Sequence, residues 1–365
     1  MNRTLSRMAT PAALALTVTL GLSACSAGNE GGGSDDAASD LSGTLSGAGA
    51  SSQESAVNAW RAGFQSANPD VTVNYDAVGS GGGREQFIAG GVAFAGSDAF
   101  FEGDELAAAE ERCNGDIVQV PVYVSPIAII YNLPGVDELN LTPEALGGIF
   151  AGDITSWDDP AIADANPDAD LPSTSITPVH RADASGTTEN FTDYLNTVAE
   201  EEWGQGVVEE WPISGGEAAS QTSGVVQAVS GGEGTIGYAD ASQAGDLGVA
   251  NVQVGDEFVA YTPEAAAAVV DASERVADRA DTDLAVEVDR GIDEGEVYPI
   301  VLLSYGIACQ NYEDAAEAEL VKAYFNYVVS EEGQQAAADG AGSAPLSPEF
   351  SEQATAAIET ISAGS

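Results

Sequence analysis

The segment Arg181-Ala182-Asp183-Ala184-Ser185-Gly186-Thr187-Thr188 gathers a guanidinium, a carboxylate, hydroxyls and a glycine in one short stretch. Phe191, Tyr194, Leu195 and Val198 follow at helical spacing, which predicts a helix start over Ser185 to Thr188. A helix start presents unpaired backbone N–H groups and the positive end of the helix dipole. With hydroxyl donors and an arginine beside them, these groups suit a small oxyanion. Two further loops share the chemistry. Gly47-Ala48-Gly49-Ala50-Ser51-Ser52 precedes a predicted helix with Val57, Trp60 and Phe64 on one face, and Gly79-Ser80-Gly81-Gly82-Gly83-Arg84 precedes a short helix toward Ile88. One such loop is also what an ordinary turn looks like. Three in one chain, one of them carrying Arg181, point to convergence on a single anion. None has P-loop spacing, and the single lysine, Lys322, is far away in sequence, which excludes a P-loop nucleotide hydrolase.

The site would have to work against its surroundings. The chain carries 10 basic residues against 59 acidic ones, a net charge of −49. Arg3 and Arg7 lie in an expected export signal, and without them 8 basic residues face 59 acidic ones, giving −51. Such a balance favours a soluble monomer and argues against nucleic acid or anionic lipid as partner. The acids read as a solvated surface, and no EF-hand spacing is present. With one histidine and no paired-cysteine motif, an ordinary zinc site is not expected, and neither is any cofactor.

Residues 1–24 read as a signal peptide: Arg3 and Arg7, then a largely apolar run from Met8 to Leu22. The run ends in Leu22-Ser23-Ala24-Cys25, which resembles the bacterial lipobox, and Cys25 is the expected lipidated residue. The stretch 25–41, rich in Gly, Ser, Ala and Asp, reads as a flexible tether from that anchor. No later segment reads as a transmembrane helix, and Val122 to Tyr131 reads as a buried strand region. The two remaining cysteines, Cys113 and Cys309, form an even pair in an exported chain. That favours a disulfide between a mid-chain loop and a late strand, with buried free thiols as the alternative.

About 325 residues follow the tether, which is long for one small core and suits two lobes. Strand and helix patterns alternate, so the class is α/β. Val71, Val73 and Tyr75 alternate as a strand, and Val118 to Tyr131 reads as one or two strands broken by Pro121 and Pro126. Glu144 to Phe150, Glu189 to Val198 and Glu313 to Val329 read as helices. Gly234 to Tyr238 and Val297 to Ala308 read as strands, and the acidic, proline-containing stretch 161–170 as a surface loop.

The glycine loop ending in Ser51-Ser52, Gly79-Ser80-Gly81-Gly82, Gly96-Ser97-Asp98 and the 181–187 segment occur in the order found in phosphate-binding proteins of bacterial phosphate ABC transporters. Ile149-Phe150-Ala151-Gly152-Asp153-Ile154-Thr155-Ser156-Trp157-Asp158-Asp159, Gly234-Thr235-Ile236-Gly237-Tyr238 and Tyr298-Pro299-Ile300 also resemble that family, over about residues 42 to 350. The resemblance implies a two-lobed periplasmic-binding-protein fold of type II, with the ligand in the cleft between lobes. We expect lobe I at 42–122 plus 299–365 and lobe II at 123–298. Carried across by motif, the Ser51 hydroxyl, the Ser52 backbone N–H, Ser80, Asp98, Arg181, Ser185, Gly186 and Thr187 would bind phosphate, and Asp183 would orient Arg181. The expected partners are inorganic phosphate and the permease subunits of an ABC transporter, at the extracytoplasmic face of the cell membrane. The chain departs from the family pattern at Ser51-Ser52, often Thr-Phe; at His180, where a second basic residue often stands; and at Glu217, where a lysine is common.

Asp98 has two readings. A Gly-Ser-Asp turn commonly makes a helix cap or a surface acid. In an anion site, a carboxylate can instead accept a hydrogen bond from a P–OH group. Sulfate at neutral pH has no such proton, so it would meet like charge without a hydrogen bond. Sulfate, molybdate and phosphonate are the alternatives within the binding class. A phosphate-ester hydrolase is the alternative from another class, with His180 beside Arg181 as its conceivable base, but a G-x-S-x-G elbow is absent from the sequence. A surface adhesin is a third reading.

Overall fold

Two runs of strand–helix–strand units build the protein, and one long strand joins them. The computed structural model describes residues 41–293 and 296–364. The expected signal peptide, Cys25 and tether residues 26–40 lie outside the described residues.

The first run comprises β1 (Gly43–Gly49), α1 (Glu54–Ala67), β2 (Val71–Asp76), α2 (Ser80–Ile88) and β3 (Phe94–Ser97). Strand β1 lies between β2 and β3, parallel to both. Ala56, Val57, Trp60 and Phe64 form the buried face of α1, as their helical spacing requires. The Trp60 indole donates to Gly333 O at 2.8 Å, fixing the helix against the C-terminal helix Glu331–Ala341.

Strand β4 (Ile117–Asn132) then runs for 16 residues, nearly all buried. The expected break at Pro121 or Pro126 does not occur, because each proline sits where a missing N–H is tolerated. Residues 117–126 pair antiparallel with the late strand 301–309, and the register shifts by one residue beside Pro121. At Ile127 the partner changes to the strand 235–240. Pro126 therefore lies where one ladder hands over to the other.

The second run comprises β5 (Thr177–Arg181), α3 (Gly186–Val198), β6 (Glu217–Ala219), α4 (Gln221–Gly231) and β7 (Thr235–Asp240). Strand β5 is parallel to both β6 and β7. A short β8 (Gly248–Val249) pairs with β4, and β9 (Val301–Cys309) returns the chain to the first run. The nine-stranded sheet has the order β2-β1-β3-β9-β4-β7-β5-β6, with β8 on β4. This is a two-lobed α/β fold in which β4 belongs to both halves.

Cys113 and Cys309 are joined by a disulfide, with Cα atoms 5.1 Å apart. Cys113 ends the helix Gly103–Cys113 rather than lying in a loop. Two other expectations need correction. Ser80 to Arg84 belong to α2 itself instead of preceding it. The stretch 161–170 is not wholly loop, since Pro160–Ala163 is a helical turn capped by Asp159. Among the described residues, no helix is long and apolar enough to cross a membrane.

Candidate functional site

Parallel strands deliver their following loops to one edge of the sheet, and such crevices at carboxyl ends are where α/β proteins place ligands. Here two such edges meet. Ser51 and Ser52 follow β1, Ser80 opens α2 after β2, and Asp98 follows β3. From the other half, Arg181 ends β5, Ser185 caps α3, and Gly186 and Thr187 form its first turn. The side chains of this set are at most 4 % exposed. The structure thus brings the eight candidate ligand residues together, from three loops on one lobe and one on the other.

Two glycines permit the approach. Gly79 has φ +95°, and a Cβ there would fall 2.5 Å from Asp183 Oδ2. A Cβ on Gly186 would fall 2.7 Å from both Asp98 Cβ and Ser80 Oγ. The start of α3 therefore packs its bare backbone against the opposite loop.

Hydrogen bonds fix the polar groups. Arg181 Nε donates to Asp183 Oδ1 at 2.9 Å, and a second guanidinium nitrogen donates to Asp183 Oδ2. Asp183 also accepts from Gln221 N at 3.0 Å. This fork-to-carboxylate pairing sets the plane of the guanidinium. Ser185 Oγ accepts from Thr188 N at 3.2 Å, which caps the helix at the predicted start. Ser51 Oγ accepts from Thr222 N and lies 3.0 Å from Thr222 Oγ1, which ties the first loop to the start of α4. Asn190 Nδ2 donates across the cleft to Asp98 O at 2.8 Å. The two lobes are in direct contact through these bonds.

Asp98 is neither a helix cap nor a surface acid. Its carboxylate accepts from Ser52 Oγ at 2.8 and 2.7 Å, from Thr187 Oγ1 at 3.1 Å, and from Ser304 Oγ. Its backbone N–H donates to Ser80 Oγ at 3.1 Å. Burial raises its pKa, while the Ser304, Ser52 and Thr187 bonds and the nearby Arg181 charge oppose the rise. The net direction is upward. Ser52 was expected to matter only through its backbone, yet its hydroxyl contacts both oxygens of Asp98.

Several participants were missed in the sequence. Ser304 is the single serine in the otherwise largely apolar strand β9, which was the available signal. Tyr238 stood in the Gly234–Tyr238 motif without a site role, and Thr222 and Asn190 carried no signal. Tyr238 hydroxyl accepts from Arg181 N at 3.3 Å and lies 2.8 Å from Thr188 Oγ1, bracing the arginine loop. Arg84 is a second buried arginine nearby, in α2 with Ser80. Arg84 is committed elsewhere, donating to Glu105 at 2.8 Å, Ser97 at 3.0 Å and Glu209 at 2.7 Å. His180 Nδ1 lies 2.9 Å from Arg181 O and Nε2 lies 3.2 Å from Gly215 O. Its ring stacks on Trp211 with centroids 4.9 Å apart.

Glu189, in the first turn of α3, is pushed up to about 7 by burial and then by Glu209, with Arg84 opposing. The folded protein therefore keeps a proton that the unfolded chain releases between about pH 4.5 and 7. Stability should fall as pH rises through that window, and the full penalty, at most roughly 3 kcal/mol, applies above it. Glu189→Gln removes the charge and keeps the shape. Its melting temperature should exceed that of the wild type at pH 8 and match it at pH 4.5. An equal difference at both pH values would contradict this account.

A family model described as a PBP superfamily domain matches residues 34–332. Phosphate-binding protein PstS 3 of Mycobacterium tuberculosis is 35 % identical over 325 residues, covering 87 % of this chain and 86 % of that protein. Phosphate-binding protein PstS2 of Mycobacterium bovis is 33 % identical over 361 residues, covering 94 % and 96 %. Among solved structures, a high affinity periplasmic phosphate-binding protein bound with phosphate has a TM-score of 0.71 at 24 % identity, covering 86 % of this chain and 93 % of its own. A phosphate-binding protein from Stenotrophomonas maltophilia has a TM-score of 0.68 at 20 % identity, with the same coverage. The structural likeness carries the two-lobed fold, the sequence likeness runs along most of both partners, and the chain belongs to the PstS family of phosphate-binding proteins within the PBP superfamily.

Proposed function

We propose that this protein binds inorganic phosphate between its lobes, outside the cytoplasmic membrane, and delivers it to an ABC permease for import. The curated relatives named above are phosphate-binding proteins, which supports the ligand class. The carrying observation is one acceptor, Asp98, set among converging donors. Ser51, the Ser52 N–H, Ser80, Arg181, Ser185, Gly186 and Thr187 supply hydrogen bonds to anionic oxygens, and Asp98 accepts a hydrogen bond from the ligand's P–OH. Asp183 holds the arginine fork in place.

Affinity must come from these local donors, because the global charge repels the ligand. Screening confines that repulsion to about 8 Å at physiological salt. Charge-assisted bonds contribute about 1.5–3 kcal/mol each, so several outweigh a distant field. The role is binding without catalysis. Both His180 nitrogens face carbonyl oxygens, which supports leaving it out of any nucleophile–base pair.

The lobes are assigned as 42–122 plus 299–365 and 123–298. The handover of β4 at Pro126 supports a boundary close to the first of these junctions. Ligand bridging the two lobes favours the closed arrangement. The protein acts as a monomer held at the membrane by lipid on Cys25, without nucleic acid or cofactor.

Calorimetry of the mature chain with phosphate, arsenate and sulfate tests this reading. One phosphate per chain is expected, with arsenate competing and sulfate at least a thousandfold weaker. Equal affinity for sulfate, or no uptake of phosphate, would overturn it.

A further inference from the structure

Ser304 belongs to none of the loops assigned to the ligand, yet it touches the residue on which selectivity turns. It lies in β9, whose nine residues are all buried. The antiparallel register pairs Tyr305 with Ser97 and Gly306 with Gly96. Continued by one residue, it sets Ser304 beside Asp98. On the other side, the ladder to β4 shifts by one residue between Ser304 and Tyr305, opposite the Pro121 region. Such irregularities re-aim side chains next to sites. Ser304 is fully buried, and its hydroxyl has Asp98 Oδ1 as its partner among the described residues.

The other two hydroxyls on Asp98 belong to residues assigned to the ligand. Thr187 is a donor under the phosphate reading, and Ser52 contributes its backbone N–H. Of the three, Ser304 alone has no role assigned toward the ligand. We infer that Ser304 is a specificity-determining positioning residue, whose hydroxyl holds the Asp98 carboxylate in one rotamer as an acceptor-only group. The inference rests on the phosphate reading and deepens it. An acceptor-only carboxylate welcomes a P–OH group and repels a sulfate oxygen. Once protonated, the same group can donate to sulfate, and the basis of discrimination weakens.

The charges around Asp98 bear on the balance. Arg181 from β5 favours the ionised form, and Tyr75 from β2 responds to the Asp98 charge. A cavity of about 360 Å³ that Asp98 borders is also lined by Glu102, Glu189, Asp193, Glu287, Arg279 and Arg290. Against the upward push of burial, the Ser304 bond is the largest opposing influence.

The test compares wild type with Ser304→Ala, Ser304→Cys and Ser304→Thr. Carbon-13 NMR of aspartate carboxyls, with the Asp98 signal assigned by its loss in Asp98→Asn, follows the titration without ligand. Calorimetry with phosphate and with sulfate at pH 5.5 and 8 follows selectivity. In Ser304→Ala the Asp98 titration should move up by about one unit or more. The phosphate preference should fall about tenfold further at pH 5.5 than at pH 8. Ser304→Cys, a weaker donor of similar size, should shift in the same direction and serves if the alanine variant misfolds. Ser304→Thr keeps the hydroxyl and should return toward wild type. An unmoved Asp98 titration, or a loss of preference equal at both pH values, would overturn the inference. A wild type that takes no phosphate would instead overturn the reading beneath it, and the ligand-free NMR arm tells the two failures apart.

Discussion

Arg181→Ala should raise the phosphate Kd by about two to three orders of magnitude while the fold persists. The guanidinium is buried, so hydrogen bonds from it to a bound oxyanion would act with little screening by water. Truncating one member of a buried charged pair typically costs about 2–5 kcal/mol, and tenfold in Kd corresponds to about 1.4 kcal/mol. Removal also leaves Asp183 with Gln221 N as its remaining partner, so an uncompensated carboxylate stands beside the incoming anion. Arg181→Lys should recover only a small part of the loss. A lysine keeps the charge but cannot reproduce the two-pronged contact that fixes the donor plane against Asp183. Calorimetry on both variants, with circular dichroism to verify folding, measures the effect. Near-native affinity in Arg181→Ala would remove the arginine from the site.

Asp98→Asn should cut the preference for phosphate over sulfate by about a hundredfold or more. Sites built on polar complementarity can reject an analogue by roughly 10⁴. Under the phosphate reading, rejection would have a simple origin, because sulfate offers no proton to a buried acceptor and the unmatched group costs about 1–3 kcal/mol or more when charged. An asparagine amide can turn its NH₂ toward a sulfate oxygen and erase that cost. Its carbonyl still accepts from Ser52, Thr187 or Ser304, so the loop keeps its anchors. Phosphate affinity should fall by less than the preference does. Competition titrations with both anions read this directly, and an unchanged ratio would show that selectivity resides elsewhere.

Much of the fold was legible because it is local. Val57, Trp60 and Phe64 announce α1 by spacing, Ser185 announces the start of α3, and Val71, Val73 and Tyr75 announce β2. The candidate ligand groups were legible too, because Gly/Ser loops before helices name their chemistry in a few residues. Legibility failed where a residue's role depends on a partner far along the chain. Pro121 and Pro126 look like strand breakers by local rules. They are accommodated because one meets a register shift and the other a change of partner. Ser52 looked like a backbone donor until its hydroxyl met Asp98.

The sequence by itself determined which chemical groups are available: an arginine, the hydroxyls of Ser51, Ser52, Ser80, Ser185 and Thr187, the acids Asp98 and Asp183, and the glycines that let backbones approach. It also determined that helix starts would present them. Only the tertiary structure decided that the carboxyl ends of two parallel half-sheets face each other, and that Ser304, 206 residues from Asp98, reaches its carboxylate. Local propensity acts over one or two turns, whereas strand register is set by long-range pairing. A single serine in an apolar strand has no meaning until that register places it beside a buried charge.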